Sequence, residues 1–201
     1  MGRIPSEPTA LRRRIREHER KLRRDKHGCY DDGAGKRFLL APLYLLAGDV
    51  PGALESFRWY EREFPDDSME PGHALCWTLA LHRGGKQEAA VRKLGQAMLC
   101  NRYLIPHLLS RPVAPGQFWE GSNLEWSSYV LEIPGEYYAL WTAQEKAWAS
   151  HWFDHPFLAR VRAEADNIDA RLATESVIAE RRKLIERRRR LEAMDEAVPS
   201  E

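Results

Sequence analysis

Cysteine is scarce in this chain: Cys29, Cys76 and Cys100 are the only three in 201 residues, an odd number with no CxxC pair. That excludes a disulfide framework and a cysteine-based metal knuckle, and it fits a reducing compartment, so a cytoplasmic protein is expected. No uninterrupted apolar run approaches the ~18 residues a spanning helix needs. With a mean hydropathy of -0.58, no membrane insertion is expected. The residues after Met1 carry neither an apolar stretch nor a small-residue cleavage site, so no secretory leader is expected. Alternation of period two is also missing. The Asp32-Gly33 dipeptide has no β-branched runs beside it, which argues against hairpins and sheets.

Catalytic signatures are equally thin. Gly33, Ala34, Gly35 and Lys36 suggest a phosphate loop, but Tyr30 stands where the first glycine would fall and Arg37 where a magnesium-binding Ser or Thr is needed. No GxSxG elbow occurs. His151 and His155 lie four apart without a third ligand, and Pro156 follows at once. The chain is therefore expected to be no enzyme, with no catalytic residue, no metal and no cofactor.

What is present is charge and helical periodicity. The net charge of +1 conceals an excess of six positive charges in residues 1–26, two in 181–201, and seven negative charges in 27–180. An acidic body thus sits between two basic ends. Residues 9–26 form a basic helix, capped by Thr9, with a narrow seam of Leu11, Ile15, His18 and Leu22. Arg12, Arg13, Arg16 and Arg20 lie around that seam. Residues 111–134 are rich in Pro, Gly and Ser and read as irregular, helical pattern returns at 135–152, and a long helix follows from Pro156 to about Ala197. In its last part Val177, Leu184 and Leu191 repeat as heptads beside Ile178 and Ile185, flanked by arginines that include Arg187 and Arg188.

An internal repeat organises the middle. Arg37, Leu40, Ala41 and Tyr44, then the turn Gly48-Asp49, then Ala53, Phe57 and Pro65, recur 37 residues later as Ala74, Trp77, Thr78 and Leu81, the turn Gly84-Gly85, then Ala90, Leu94 and Ala97. Small residues sit where two helices of a hairpin cross, larger ones fill the space beside them, and glycine permits the left-handed helix exit. This pattern resembles the tetratricopeptide repeat, in which W-x2-L-G-x2-Y on a first helix is followed by Ala, an aromatic and Pro on a second. The run GKRFLLAPLYLLAGD at 35–49, with EFPDD at 63–67, also resembles bacterial proteins of that class. Arg37 replaces the first large apolar residue, and Arg102 stands where the second copy should have proline.

The resemblance implies an all-α fold of antiparallel helical-hairpin repeats, with a basic helix and loop at 1–30, a repeat domain at 31–155, and a long C-terminal helix with a basic tail at 156–201. It implies a protein- or peptide-binding scaffold whose groove is lined by Phe38, Leu45, Leu46, Leu75, Leu79, His82 and Arg83, suited to a partner bearing an acidic group. Five of the seven tryptophans fall between 119 and 152, and the helical pattern at 135–152 is read as a divergent third hairpin covering the second repeat, with an aromatic ligand pocket as the alternative. The alternative function is nucleic-acid binding through Arg12, Arg13, Arg16, Arg20, Arg187 and Arg188. Helix 9–26 is expected to cap the first hairpin and 181–201 to be the more mobile end. Homodimerisation through the terminal helices is the remaining partner reading.

Overall fold

A computed structural model describes residues 4–23, 29–33, 35–113 and 116–199, and the regular structure among them is all helix, with no strand. Helix α1 runs Pro8–Lys21. It starts at Pro8 rather than after a Thr9 cap, because proline needs no amide partner in the first turn. Leu11, Ile15, His18 and Leu22 are all buried, and Tyr44 reaches back to donate a hydrogen bond to Glu19. The narrow seam on this otherwise charged helix is thus spent against its neighbour, as the capping expectation requires.

Two hairpins follow, α2 (Lys36–Leu46) with α3 (Val50–Glu63), and α4 (Pro71–Arg83) with α5 (Gln87–Cys100). The ends of α3 and α5 and the C-terminal ends of α2 and α4 all correspond under the same 37-residue shift. Both turns are built alike. Gly48 and Gly85 take the left-handed conformation (φ 76° and 70°), Asp49 N–H donates to the Tyr44 carbonyl, and Lys86 N–H donates to the Leu81 carbonyl. Arg37, where a large apolar residue is expected, pairs with Asp32 and Asp67 while its guanidinium lies over the Phe38 and Phe64 rings. A planar cation here does the space-filling of the missing ring and also ties the loop before α2 to the one after α3. The next helix is capped by Glu70, which accepts from the amides of Gly72 and His73.

The central helix is α4, buried from Pro71 to Leu81 because α2, α3, α5 and a short later helix at Gly135–Ala139 all pack on it. Beyond α5 the expected third hairpin is not formed. The chain makes α6 (Leu104–Leu108), a 3-10 turn at Asn123–Glu125, α7 (Tyr129–Glu132), α8 (Gly135–Ala139) and α9 (Ala143–Asp154). The apolar pattern at 135–152 is broken at 140–142, where Thr142 and Glu145 form a reciprocal capping box and start a new helix. Asn101, fully buried, fastens the irregular stretch to the end of α5 by donating to the carbonyls of Leu124 and Trp126.

The expected single C-terminal helix is also two: α10 (Pro156–Thr174) and α11 (Ile178–Ala193). Between them Arg181 donates to the carbonyls of Leu172 and Glu175, and Glu175 accepts the Val177 amide, so the break is stapled by its own side chains. The heptad seam is only partly used. Leu184 is buried against Ile168 and Leu172, while Val177 and Ile178 stay 55% and 69% exposed. The tail is docked, with α11 on α10 and α5 and Met194 buried. One apolar cluster takes residues from Ile4 to Met194 and crosses all three divisions drawn from the sequence.

Candidate binding groove and basic surfaces

Helices α2 and α4 lie side by side, and together they would form the inner face of the hairpin pair. That face is covered by the chain itself. Helix α8 packs on both α2 and α4, and Ile133 and Tyr137 sit against Gly72 at the start of α4. At the other end of α4 the Trp148 ring lies 4.3 Å from that of His82. Tyr129 donates to Glu70 at 3.0 Å. Burial raises the carboxyl pKa of Glu70, against the opposing pull of the two backbone amides and the Tyr129 hydroxyl.

The best-defined contact is at Arg83. Its Nε and one Nη reach the two carboxylate oxygens of Glu145 at 2.7 and 3.1 Å, and that Nη also donates to the Leu140 carbonyl at 2.6 Å. Burial would raise the pKa of Glu145, but hydrogen bonds from Arg83 and Thr142 outweigh it and hold the carboxyl below its ordinary range.

The expected groove residues divide accordingly. Leu45, Leu75 and Leu79 are core residues, with Leu75 and Leu79 at 0% exposure, on helices that pack on one another and against α8. They present no surface to a separate peptide in this conformation, which corrects their assignment to an open groove. Phe38 and Leu46 are half-buried, Phe38 packing on Tyr60 and His73. His82 and Arg83 are brought to one end of the face and are already engaged. Sequence reasoning missed Glu145 and Leu140 as partners of Arg83 and Trp148 as the partner of His82. The Thr142-to-Glu145 spacing was a readable signal for a helix start, though not for the Arg83 contact.

The basic residues divide too. Arg12, Arg13, Arg16 and Arg20 are exposed on α1 and make no ion pair with any described residue. On α11 the picture is different. Arg187 pairs with Glu164 at 2.9 Å, and Arg188 is buried against Asp169, Glu192 and the Leu99 carbonyl. Arg188 is therefore buried with its donors engaged, and it presents no exposed face to a nucleic-acid backbone.

No known protein family, curated protein or solved structure matches this chain. Among the described residues no group of three or more His, Cys, Asp or Glu side chains could hold a metal ion. None of the described helices is long and apolar enough to cross a membrane.

Proposed function

We propose that the chain is a non-catalytic scaffold of the tetratricopeptide-like kind, whose inner face binds an acidic peptide and is occupied at rest by its own segment 129–148. The observation that carries this reading is the grip of Arg83, which takes one carboxylate and one main-chain carbonyl from a single short stretch of chain. A carboxylate read together with backbone is how a groove recognises an extended acidic ligand, and here the ligand is intramolecular. The matching 37-residue register of the two hairpins supports the repeat reading. A partner would compete with the chain's own segment, so its apparent affinity is reduced by the fraction of time that segment stays seated.

The test uses a labelled peptide with the sequence of residues 133–150. Glu145→Lys in the full chain loosens the resident segment, and the variant is expected to bind the peptide at least tenfold more tightly than the unmodified protein does. Adding Arg83→Glu should abolish that binding. Absence of peptide binding by a Glu145→Lys variant whose circular dichroism is unchanged overturns the reading.

Arg12, Arg13, Arg16 and Arg20, exposed on α1 and without an ion pair among the described residues, favour a second reading, nonspecific binding of nucleic acid. Lys and Arg on one outward face give salt-dependent, sequence-blind affinity through counterion release. Titration with duplex DNA should show affinity that falls steeply between low and high salt, and Arg12→Glu with Arg16→Glu should flatten the slope. No binding at low salt ends this reading.

A further inference from the structure

Between the end of α5 and the C-terminal hairpin lies a cavity of about 340 Å3, remote in sequence from the α2–α4 face and lined by residues of α5, α6, α9, α10 and α11. Four arginines and two carboxylates line it, Arg102, Arg111, Arg162 and Arg188 against Asp166 and Asp169, which leaves an excess of positive charge. Two of the arginines are spoken for. Arg111 forks onto Asp154 at 2.7 and 2.8 Å, and Arg188 is held by Asp169, Glu192 and the Leu99 carbonyl.

The other two are not. Arg162 donates one hydrogen bond, to the Phe153 carbonyl at 3.0 Å, and no carboxylate lies within ion-pair distance of it among the described residues. Arg102 spends one nitrogen on Asp166 at 3.2 Å, while its Nε and Nη1 are buried with no hydrogen-bond partner. Buried guanidinium donors without acceptors are costly, so their retention needs a reason. Burial also draws the Arg162 pKa down, against the nearby Asp166 and Asp154, as expected for a cation short of neutralising contacts.

Both guanidiniums lie over aromatic rings. Arg102 lies 3.2 Å from the centroid of the Phe118 ring, and Arg162 lies 4.0 Å from that of Phe153. Stacking fixes the plane of an arginine while leaving its edge donors available, which is the geometry that suits a planar or tetrahedral oxyanion. Met98, Leu99 and the Phe153 ring give the same cavity an apolar wall. A pocket of this size, apolar on one side with a few convergent donors on the other, fits a small organic ligand.

We propose that this cavity is a binding site for a small organic oxyanion, a phosphate or carboxylate carried on a compact apolar group, with Arg102 and Arg162 as its charge-recognising residues. The oxyanion supplies the acceptors these two arginines lack, and the apolar group lies against Met98, Leu99 and Phe153. The site is independent of the groove reading, because it uses neither Arg83 nor the α2–α4 face.

The test is thermal unfolding of the full chain with phenyl phosphate, benzoate or benzyl alcohol in the millimolar range, at ionic strength matched with sodium chloride. Binding to the folded state alone raises the midpoint by mass action, here by a few degrees for the oxyanions and not for the neutral alcohol. A shift with only one of the two anions also supports the site and tells phosphate from carboxylate. Arg162→Met and Arg102→Met should each reduce the apparent affinity at least tenfold. Equal shifts with sodium chloride or benzyl alcohol, no shift at all, or unchanged shifts in both variants overturn the proposal. Should either variant fail to fold, amide chemical-shift mapping on the unmodified protein decides instead. Perturbations centred on Met98, Leu99 and Ala165 support the site, and perturbations elsewhere or none overturn it.

Discussion

Arg83 on the last turn of α4 and Glu145 on the first turn of α9, 62 residues apart, meet as a fork-to-fork ion pair in which both side chains are mostly shielded from water. A pair at this depth is worth more than a surface bridge, because removing either member leaves the other poorly solvated. Arg83→Ala is expected to cost about 1–3 kcal/mol, as it strands both Glu145 and the Leu140 carbonyl. A double-mutant cycle with Glu145→Ala, followed by urea denaturation, should give a coupling of about 1 kcal/mol or more. Because the Glu145 pKa is lowered in the folded state, its contribution is present above pH 4.5 and lost as the pH falls through the folded value. The coupling should therefore shrink in acid, and additivity at neutral pH would show the two helices joined by packing alone.

His73 is enclosed by the rings of Phe38, Phe57, Tyr60 and Trp77, and neither ring nitrogen has a hydrogen-bond partner. Burial, helped by the positive charges of Lys93 and Arg37, pushes its pKa down to about 3. The unfolded chain then binds the proton more readily than the folded one, so stability rises with pH between about 3 and 6.5 and is lost on acidification. The loss approaches about 1.4 kcal/mol per pH unit within that window. His73→Leu, close in volume and free of unpaired polar atoms, should hold neutral-pH stability within about 1 kcal/mol or improve it. It should also remove this part of the acid slope. An unchanged slope would mean that other groups carry it.

Lys93 obeys the same logic at the basic end. Its ammonium sits 3.6 Å over the Trp77 ring with little access to water, and burial lowers its pKa to about 8, opposed by Glu61. The folded pKa lies below the unfolded one, so stability climbs as pH rises from about 8 to 10.5. The rise amounts to about 3 kcal/mol in all. Lys93→Met should abolish that rise while changing stability at pH 7 by only about 1 kcal/mol, since it exchanges a cation–ring contact for a relieved desolvation. A parallel pH profile in both proteins would refute the assignment.

The hairpins were legible because their signals are local. Ala53 with Ala90 at the crossings, Gly48 with Gly85 at left-handed exits, and the larger Leu40 with Trp77 and Phe57 with Leu94 repeat in one register, and the structure places the ends of α3 and α5 in that same register. The docking of α1 was legible too, since Leu11, Ile15 and Leu22 had no other use on so charged a helix. The third quarter was not. An apolar pattern at 135–152 is compatible with one helix, and only the capping competition at Thr142 and Glu145 breaks it. Nor could sequence show that this segment would pack on α2 and α4, because that depends on a return of the chain fixed by Asn101 and Arg83. Arg188 was hidden for the same reason, as its neighbours Asp169, Glu192 and the Leu99 carbonyl come from three elements.

The docked C-terminal end makes the last prediction, centred on Gly95 in the middle of α5. The equivalent position in the first hairpin is the exposed Arg58, so the repeat itself does not require glycine there. What requires it is Met194. A Cβ at position 95 would stand 2.5 Å from the Met194 Cε and 3.1 Å from Leu158 Cδ2. Gly95→Ala therefore combines a helix-propensity gain of about 1 kcal/mol with a steric loss of similar size, and the single variant should change stability little. In a Met194→Ala background the severe contact is gone, Leu158 Cδ2 has to give by only a few tenths of an ångström, and most of the gain remains. The two substitutions should then be non-additive by about 1 kcal/mol in urea denaturation, with Gly95→Ala clearly stabilising only when Met194 is absent. If the effects simply add, residues 194 and 95 are not in contact in solution. The C-terminal tail would then be the free end that its sequence suggests.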